Sequence, residues 1–364
     1  MLTSAALGLV LSASGSVLAE DSAAASLYVR GDTDETTVIS PKLRVRAEAA
    51  QDTHVDLSYT VDVWTSASVD IVASASQPVT EQRDELNLGL DHAFDDITIG
   101  GGYRFSGEPD YASHGGSAFF SIEMANNAAK LDLKLAGSSD TVSRAGDDAF
   151  GEEVSTLTAG AAFTQVIDTE TVVQGLYDLT NVQGYQASAY RYVAIGGDGR
   201  CFGAAPLCVP ERNPRERLRH ALAVRARRAL ASEWSVGAGY RFYLDDWGVT
   251  SSTVRGDVAW APTRLSTIAL TYRFYTQGAA DHYKSVYPLA DQEAAYLTSD
   301  KELSPLSSHR VAIELDYNWE LGDGLRALST AITVAPTFYQ YTDFVPYERI
   351  TAIEATAAVG MVLE

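Results

Sequence analysis

Long segments in which apolar and polar residues alternate are the feature that most constrains this fold. In Val55–Val63 the odd positions are apolar and the even positions polar, and Val311–Leu321 follows the same pattern. Successive side chains on a β-strand point to opposite faces, so each segment has one apolar and one polar face. Because segments of roughly ten to fifteen residues with this period recur along the chain, the mature protein is predicted to be all β.

The connectors between these segments alternate in length. About sixteen segments can be counted, and tight turns such as Asp95–Asp96 alternate with connectors that are longer on average, the most prominent at about 65–84, 144–153, 188–217 and 281–309. An even strand count with turns at one end and loops at the other is typical of bacterial outer-membrane barrels. We therefore predict a transmembrane antiparallel up-and-down β-barrel of about 16 strands, within a range of 14 to 18, with the long loops outside the cell.

A soluble β-sandwich is the alternative within the all-β class. Sandwich strands average about 5 to 6 residues and turn their apolar face inward. Here the segments are longer, and their polar face carries too many ions for a dry core, which favours the membrane barrel. The segment Arg215–Leu230 contains good helix formers, but as a strand it separates Leu218 and Leu222 from Arg219 and Arg225.

The first nineteen residues have the character of a secretory signal peptide. A short apolar stretch ends at Val17-Leu18-Ala19, although Met1–Ser4 contains no basic residue. Small residues at the last and third-last positions predict cleavage after Ala19. The expectation is a signal peptide over residues 1–19 and one barrel domain over residues 20–364, exported to the outer membrane of a Gram-negative bacterium and surrounded there by lipid.

The charge distribution excludes several functions. The net charge is -21 with a pI near 4.6, whereas a nucleic-acid binder needs a basic face. Acidic and basic residues on the predicted polar face nearly cancel, so most of the net charge is assigned to loops and turns. No phosphate loop, dinucleotide fingerprint or haem-attachment motif occurs, no catalytic Ser-His-acid set is recognisable, and neither a cofactor nor a metal is expected.

The two cysteines lie in the longest Gly- and Pro-rich loop. In an exported protein Cys201 and Cys208 are expected to form a local disulfide. A metal-binding thiol pair is the alternative, but no histidine is close in the sequence.

The tripeptide Tyr-Arg-Phe occurs three times, at residues 103–105, 240–242 and 272–274. Strand parity turns each arginine inward and each aromatic outward, as an interfacial girdle requires. The candidate site at the rim comprises inner-wall residues and the acidic residues of the turns above them: Arg104, Arg241, Tyr243, Arg273, Tyr275, Asp245, Asp246 and Asp281. Asp62 is a second, weaker candidate. Such a ring can bind or screen a polar solute, and the alternative is a set of structural ion pairs at the barrel mouth.

Four longer sequence segments resemble those of a known family. They are Gly239–Gly248, Thr271–Tyr283, Ser58–Ser68 and Arg217–Leu222. Together they resemble the Gram-negative family labelled domain of unknown function 3570. The resemblance implies an outer-membrane β-barrel without an established biochemical activity.

Two functions remain open at this stage. The first is a channel or passive transport pore for small polar solutes, with lumen residues as selectivity elements. The second is a closed barrel that serves as a scaffold or docking partner for an exported or surface complex. The sequence carries no signal for an oligomeric interface.

Overall fold

A computed structural model describes residues 21–66, 79–197, 201, 205, 207–320 and 325–363. The strands in chain order are β1 (Ser22–Asp32), β2 (Thr36–Ala50), β3 (Thr53–Ser66), β4 (Val79–Phe94), β5 (Ile97–Glu108), β6 (Tyr111–Met124), β7 (Ala129–Ser143), β8 (Gly151–Val166), β9 (Thr171–Gly184), β10 (Tyr192–Ile195), β11 (Leu207–Pro210), β12 (Glu216–Ala229), β13 (Trp234–Asp245), β14 (Thr250–Thr263), β15 (Ser266–Gln277), β16 (Leu306–Trp319), β17 (Leu325–Tyr341) and β18 (Arg349–Leu363). Two single-turn 3-10 helices cover Leu289–Asp291 and Lys301–Leu303.

Sixteen of these strands close into one antiparallel barrel. Each pairs with its neighbours in the sequence, except that β9 pairs directly with β12, and β1 pairs with β18 to close the sheet. Closure leaves no free edge, so every strand finds hydrogen-bonding partners on both sides, as a membrane requires. The prediction of a 16-stranded up-and-down barrel is confirmed.

The two ends of the barrel differ in their connectors. The end that holds Ser22 and Leu363 has tight connections, and Asp52, Asp95 and Asn126 adopt positive φ there, the conformation that favours Asp, Asn and Gly in hairpin turns. We name it the turn end. The opposite loop end carries the long connectors, which span 67–78, 144–150, 185–215 and 278–305. The predicted bounds were about 65–84, 144–153, 188–217 and 281–309; β4, β8, β12 and β16 begin earlier than predicted, whereas β9 and β15 end earlier.

The outer surface of the barrel is apolar, as strand parity predicts. Leu43 and Ile353 are both 59% exposed, and Leu90 and Leu222 are both 56% exposed. A contiguous exposed apolar surface of this extent is incompatible with water but matches the hydrocarbon of a bilayer. Within the described ranges, no helix has the length and hydropathy to cross a membrane.

The segment with helix-forming residues is strand β12. Its register with β9 and β13 places Leu218 and Leu222 outside and Arg219 and Arg225 inside. Cross-strand pairing on both sides outweighs the weak intrinsic preference of these residues for helix. Strands β10 and β11 were not predicted: they form a separate two-stranded sheet within the longest loop.

The described parts of the loops 185–215 and 278–305 pack together at the loop end, and we name them the loop cap. Ile195 bridges to Tyr287, and Val193 and Leu297 complete a buried apolar cluster with them. The cap also contacts three other connectors: Tyr190 accepts a hydrogen bond from Ala145, Lys301 pairs with Asp34, and Tyr283 donates to Asp343. The loop end is therefore held both by packed apolar groups and by polar contacts between its connectors.

Candidate functional site

The inner wall of the barrel is ionic, and its charges fall into two regions. The first region, which we name the paired wall, is the inner face of β2–β5. Its arginines form cross-strand ion pairs, Arg44 with Asp56, Arg46 with Asp91, Arg83 with Asp62 and Arg104 with Glu85. Every arginine on this wall therefore has a carboxylate partner.

The geometry of the paired wall is well defined. Arg46 donates two parallel hydrogen bonds of 2.8 Å to Asp91, the bidentate arrangement that makes arginine–carboxylate pairs strong. Nδ1 of the buried His54 lies 3.4 Å from the same carboxylate. Arg104 lies 2.6 Å from Glu85, which also accepts a hydrogen bond from Asn87. These side chains brace neighbouring strands.

The second region is the inner face of β12–β15, which we name the arginine wall. It carries seven arginines against two carboxylates: Arg217, Arg219, Arg225, Arg227, Arg241, Arg255 and Arg273 against Asp245 and Asp257. In the described part of the chain, no carboxylate oxygen lies within salt-bridge distance of Arg219, Arg225, Arg241 or Arg273. The arginine wall is therefore a region of uncompensated positive charge.

The two carboxylates of the arginine wall are already engaged. Asp257 lies 2.5 Å from Arg227 and 3.7 Å from Arg255. It occupies the space above Gly237, where a Cβ atom would lie 2.5 Å from its Oδ1. Glycine at position 237 therefore makes this shared carboxylate site sterically possible.

Asp245 is the other carboxylate, and it organises the connector between β13 and β14. Its Oδ1 accepts hydrogen bonds of 3.0 Å from the backbone N–H groups of Trp247 and Val249. Its Oδ2 accepts from Tyr243 at 2.6 Å and pairs with Arg217. The side chain of Asp245 has no exposed surface, so it holds Tyr243 and Arg217 in place and is closed to a solute.

Asp246 and Asp281 join the same connector to its surroundings, to β12 and to the loop cap respectively. Asp246 accepts a hydrogen bond from the backbone N–H of Leu218 at 3.0 Å, and Asp281 donates its own N–H to Trp247 at 2.9 Å. Gly248 has a φ of 85°, and a Cβ there would meet the Asp281 carboxylate. Asp246 therefore ties the connector to β12, and Asp281 fastens the loop cap to the connector.

The remaining predicted residues divide between the two regions. Arg241 and Arg273 lie on the arginine wall, and the guanidinium of Arg241 is 5.8 Å from the ring centre of Tyr243. Tyr275 donates to Gln277 on its own strand. Asp62 and Arg104 belong to the paired wall. Among the predicted arginines, Arg241 and Arg273 are therefore the two that have no carboxylate within salt-bridge distance in the described part of the chain.

The outward tyrosines of the Tyr-Arg-Phe repeats contact polar residues of the next strand, which are histidines in two of the three copies. Tyr103 and Tyr272 each lie 2.7 Å from Nδ1 of a histidine on the next strand, His114 and His309 respectively. In the third copy Tyr240 contacts Ser252 instead. Since all three arginines face inward, each repeat combines an outer aromatic girdle with an inner charge.

Glu211 in the loop cap was not singled out from the sequence. Its side chain has no exposed surface, pairs with Arg191 at 3.3 Å, and accepts hydrogen bonds from Thr298 and the backbone N–H of Ser188. Arg191 also lies 2.6 Å from Asp300. A lone glutamate between prolines carries no recognisable signal, because its partners come from two separate segments, Ser188 and Arg191 before it and Thr298 in a loop more than eighty residues later.

Three carboxylates near the loop end also come together without a sequence signal. Single oxygens of Glu81, Glu108 and Asp110 all lie within 4.8 Å of one another. Such oxygen donors are of the type that divalent cations prefer. Glu81 lies near the start of β4 and Glu108 at the end of β5, so the pairing of these two strands brings the carboxylates together.

The two cysteines lie close enough for the predicted disulfide. Cys201 and Cys208 are within disulfide distance, with Cα atoms 5.7 Å apart. Cys208 lies on β11, so the bond closes the tip of the small sheet in the loop cap.

Comparison with known proteins places the chain in a family. The model of the family described as "Protein of unknown function (DUF3570)" matches residues 1–333. The chain belongs to the DUF3570 family. No curated protein matches the sequence.

Among solved structures, this DUF3570 protein is similar to outer-membrane barrels at low identity. A bacterial polysaccharide outer membrane secretin superimposes with a TM-score of 0.57 at 8% identity, with 96% of this chain and 100% of that chain covered. CdiB from Acinetobacter baumannii superimposes with a TM-score of 0.50 at 9% identity, covering 93% of this chain and 60% of CdiB. At such identity the likeness shows the fold, which is that of outer-membrane proteins.

Proposed function

We propose that this DUF3570 protein is a passive channel for small polar solutes in the outer membrane. The observation that carries the proposal is the exposure of charged side chains inside the barrel. The inward-facing side chains of Arg255 and Arg44 are 53% and 49% exposed. In an interior filled by packed side chains they would be buried, so their exposure supports a water-filled lumen.

The size of the barrel supports the same proposal. Small barrels of about eight strands have interiors that side chains can fill, whereas barrels of about 16 strands leave an aqueous channel. The proposal assigns no catalytic step and no cofactor to the lumen. It includes export with cleavage after Ala19 and an outward orientation of the loop end.

A closed barrel that docks an exported protein is the second candidate, and the loop cap favours it. The cap links the connector after β7 to the turn after β1 through Tyr190 and Lys301. A packed surface at the loop end suits recognition of a partner, and it also narrows the mouth of any channel.

Single-channel recording in planar bilayers separates the two candidates. Folded protein, verified by heat-modifiable migration on gels, is expected to give discrete conductance steps. A matched variant, Glu211→Gln, weakens the centre of the loop cap without touching the barrel wall, and it is expected to give larger or more frequent steps. If neither protein conducts, the channel proposal is wrong and the docking role gains support.

The orientation is tested in intact cells. Protease added outside is expected to cut the loop between β3 and β4 and to leave the turn end uncut. Cleavage at the turn end alone would reverse the orientation.

A further inference from the structure

Four arginines of the lumen stand in one cross-strand row. Arg255 pairs directly with Arg273, and Arg273 with Arg310. On the other side, Arg225 and Arg255 both pair with Gly239. Arg225, Arg255, Arg273 and Arg310 therefore lie on a single line across β12–β16, which we name the arginine row.

The row has few counter-charges. In the described chain, Arg225 and Arg273 lack a carboxylate within salt-bridge distance, and Arg255 shares Asp257 with Arg227. Arg310 has Glu354 at 3.1 Å. The Nε atom of Arg273 is buried and has no hydrogen-bond acceptor. The row thus presents guanidinium groups whose donors are largely unused.

Two more arginines extend the region of positive charge along the lumen. Arg241 lies two residues from Gly239 on the loop-end side, and its side chain is exposed. Arg219 lies six residues from Arg225 in the same direction, and its Nε is also without an acceptor. A negatively charged solute that enters from the loop end therefore meets Arg219 and Arg241 before it reaches the row.

Such an arrangement opposes stability. Like charges placed directly opposite on adjacent strands are destabilising, and so is a buried donor without an acceptor. The paired wall shows that this chain can place a carboxylate beside each arginine when bracing is required. The unpaired arginines are accordingly better explained by a ligand than by the fold.

The chemistry of the row specifies the ligand. Guanidinium groups are planar, carry five donors in a fixed fork and match carboxylate and phosphate oxygens bidentately. Adjacent strands are about 4.8 Å apart, so Arg255, Arg273 and Arg310 follow one another at about that spacing. Between Arg225 and Arg255, Gly239 provides no side chain, and the side chain of Arg225 extends over it: a Cβ at position 239 would lie 3.5 Å from Cγ of Arg225.

We propose that the arginine row is an oxyanion-binding selectivity element and that the solutes of this channel are small carboxylate- or phosphate-bearing anions. This inference rests on the proposed channel function. An anion moves from Arg225 through Arg255 to Arg273, because in the described chain Arg225 and Arg273 have no carboxylate within salt-bridge distance and Arg255 has only a shared one, whereas Arg310, paired with Glu354, ends the row.

The test is the reversal potential of reconstituted protein under asymmetric KCl, followed by titration of inorganic phosphate into the chloride current. The wild type is expected to prefer chloride over potassium and to show a phosphate-dependent block. Arg273→Gln is expected to reduce both effects. The control Arg44→Gln removes the same charge from the paired wall and is expected to leave the block by phosphate in place.

A second variant separates charge from shape. Arg273→Lys keeps the positive charge but loses the fork, so it is expected to retain the chloride preference and to weaken the block by phosphate several-fold. Heat-modifiable migration of each variant verifies folding.

The outcomes distinguish the inference from the channel proposal. Absence of conductance overturns both. Conductance without anion preference overturns the arginine row and leaves the channel intact. Equal effects of Arg273→Gln and Arg44→Gln would show that selectivity follows total charge, which also overturns the row.

Discussion

The paired wall and the arginine wall use the same side chain in opposite ways. On β2–β5 each arginine meets a carboxylate of a nearby strand, and Arg46 of β2 reaches across β3 to bidentate contact with Asp91 of β4. On β12–β15, Arg219, Arg225, Arg241 and Arg273 face the lumen without such a partner in the described chain. The difference teaches that arginine in a barrel lumen is not by itself evidence of transport. Only the register of neighbouring strands shows whether the arginine forms a structural ion pair or leaves its charge available to a solute.

The largest difference between the walls should appear in stability. Arg46→Gln leaves the half-buried Asp91 without its bidentate partner, and we expect a loss of about 2 kcal/mol in the free energy of unfolding, between the values for exposed and buried ion pairs. Arg225→Gln removes an unpaired charge and should change the free energy of unfolding by less than about 0.5 kcal/mol. Urea unfolding in detergent measures both. Equal losses would abolish the distinction between the walls.

Removing a counter-charge should increase the net positive charge of the arginine wall. Asp257→Asn frees Arg227 and Arg255 from their shared carboxylate. We expect a greater chloride preference in reversal-potential measurements and a stability loss of about 1 kcal/mol from the broken contact. The matched control is Asp56→Asn on the paired wall, which frees Arg44 alone. A shift toward potassium in Asp257→Asn would contradict the assignment.

Adding a counter-charge should convert one unpaired arginine into a paired one. Thr253 lies directly opposite Arg241 in the register of β13 and β14. In Thr253→Glu the new carboxylate faces Arg241. We therefore expect the free energy of unfolding to rise by about 0.2 to 1 kcal/mol and the anion preference to weaken. Thr253→Gln, which has the same length without charge, provides the control. The interpretation fails if both variants behave alike.

The smallest expected effect concerns the loop cap beside the arginine wall. Burial, followed by the charge of Arg217, lowers the pKa of His282 from its ordinary value of 6.5, against the opposing influence of Asp281 and Asp245. A base with a depressed pKa stabilises the closed cap above pH 6.5, and this contribution is lost as the pH falls toward the folded pKa.

Hydrogen exchange of residues 282–300 is therefore expected to accelerate slightly from neutral to mildly acidic pH. His282→Gln has no titrating ring at this position and should show a smaller dependence on pH. Faster exchange at higher pH, after correction for intrinsic rates, would contradict this sign.

The sequence was enough to predict the order of the strands and, for most of them, which residues face the interior of the barrel. Alternation with a period of two is a local property, so Arg219 and Arg225 could be placed inside β12 despite the helix-forming residues around them. Arg241 and Arg273 were predicted as inner-wall residues for the same reason. The rim hypothesis grouped them with Asp245, Asp246 and Asp281, whereas the structure shows these acidic residues bonded within connectors and cap.

The sequence by itself determined which side of each strand faces water, because side-chain direction depends only on parity along one strand. Only the tertiary structure decided which charges meet. Pairing depends on register between strands, and the register brings Arg46 to Asp91 but Arg273 to Arg255 and Arg310. The partners of Glu211 in the cap likewise come from distant segments. Contacts between residues far apart in the chain are set by the closure of the whole sheet, which no single segment encodes.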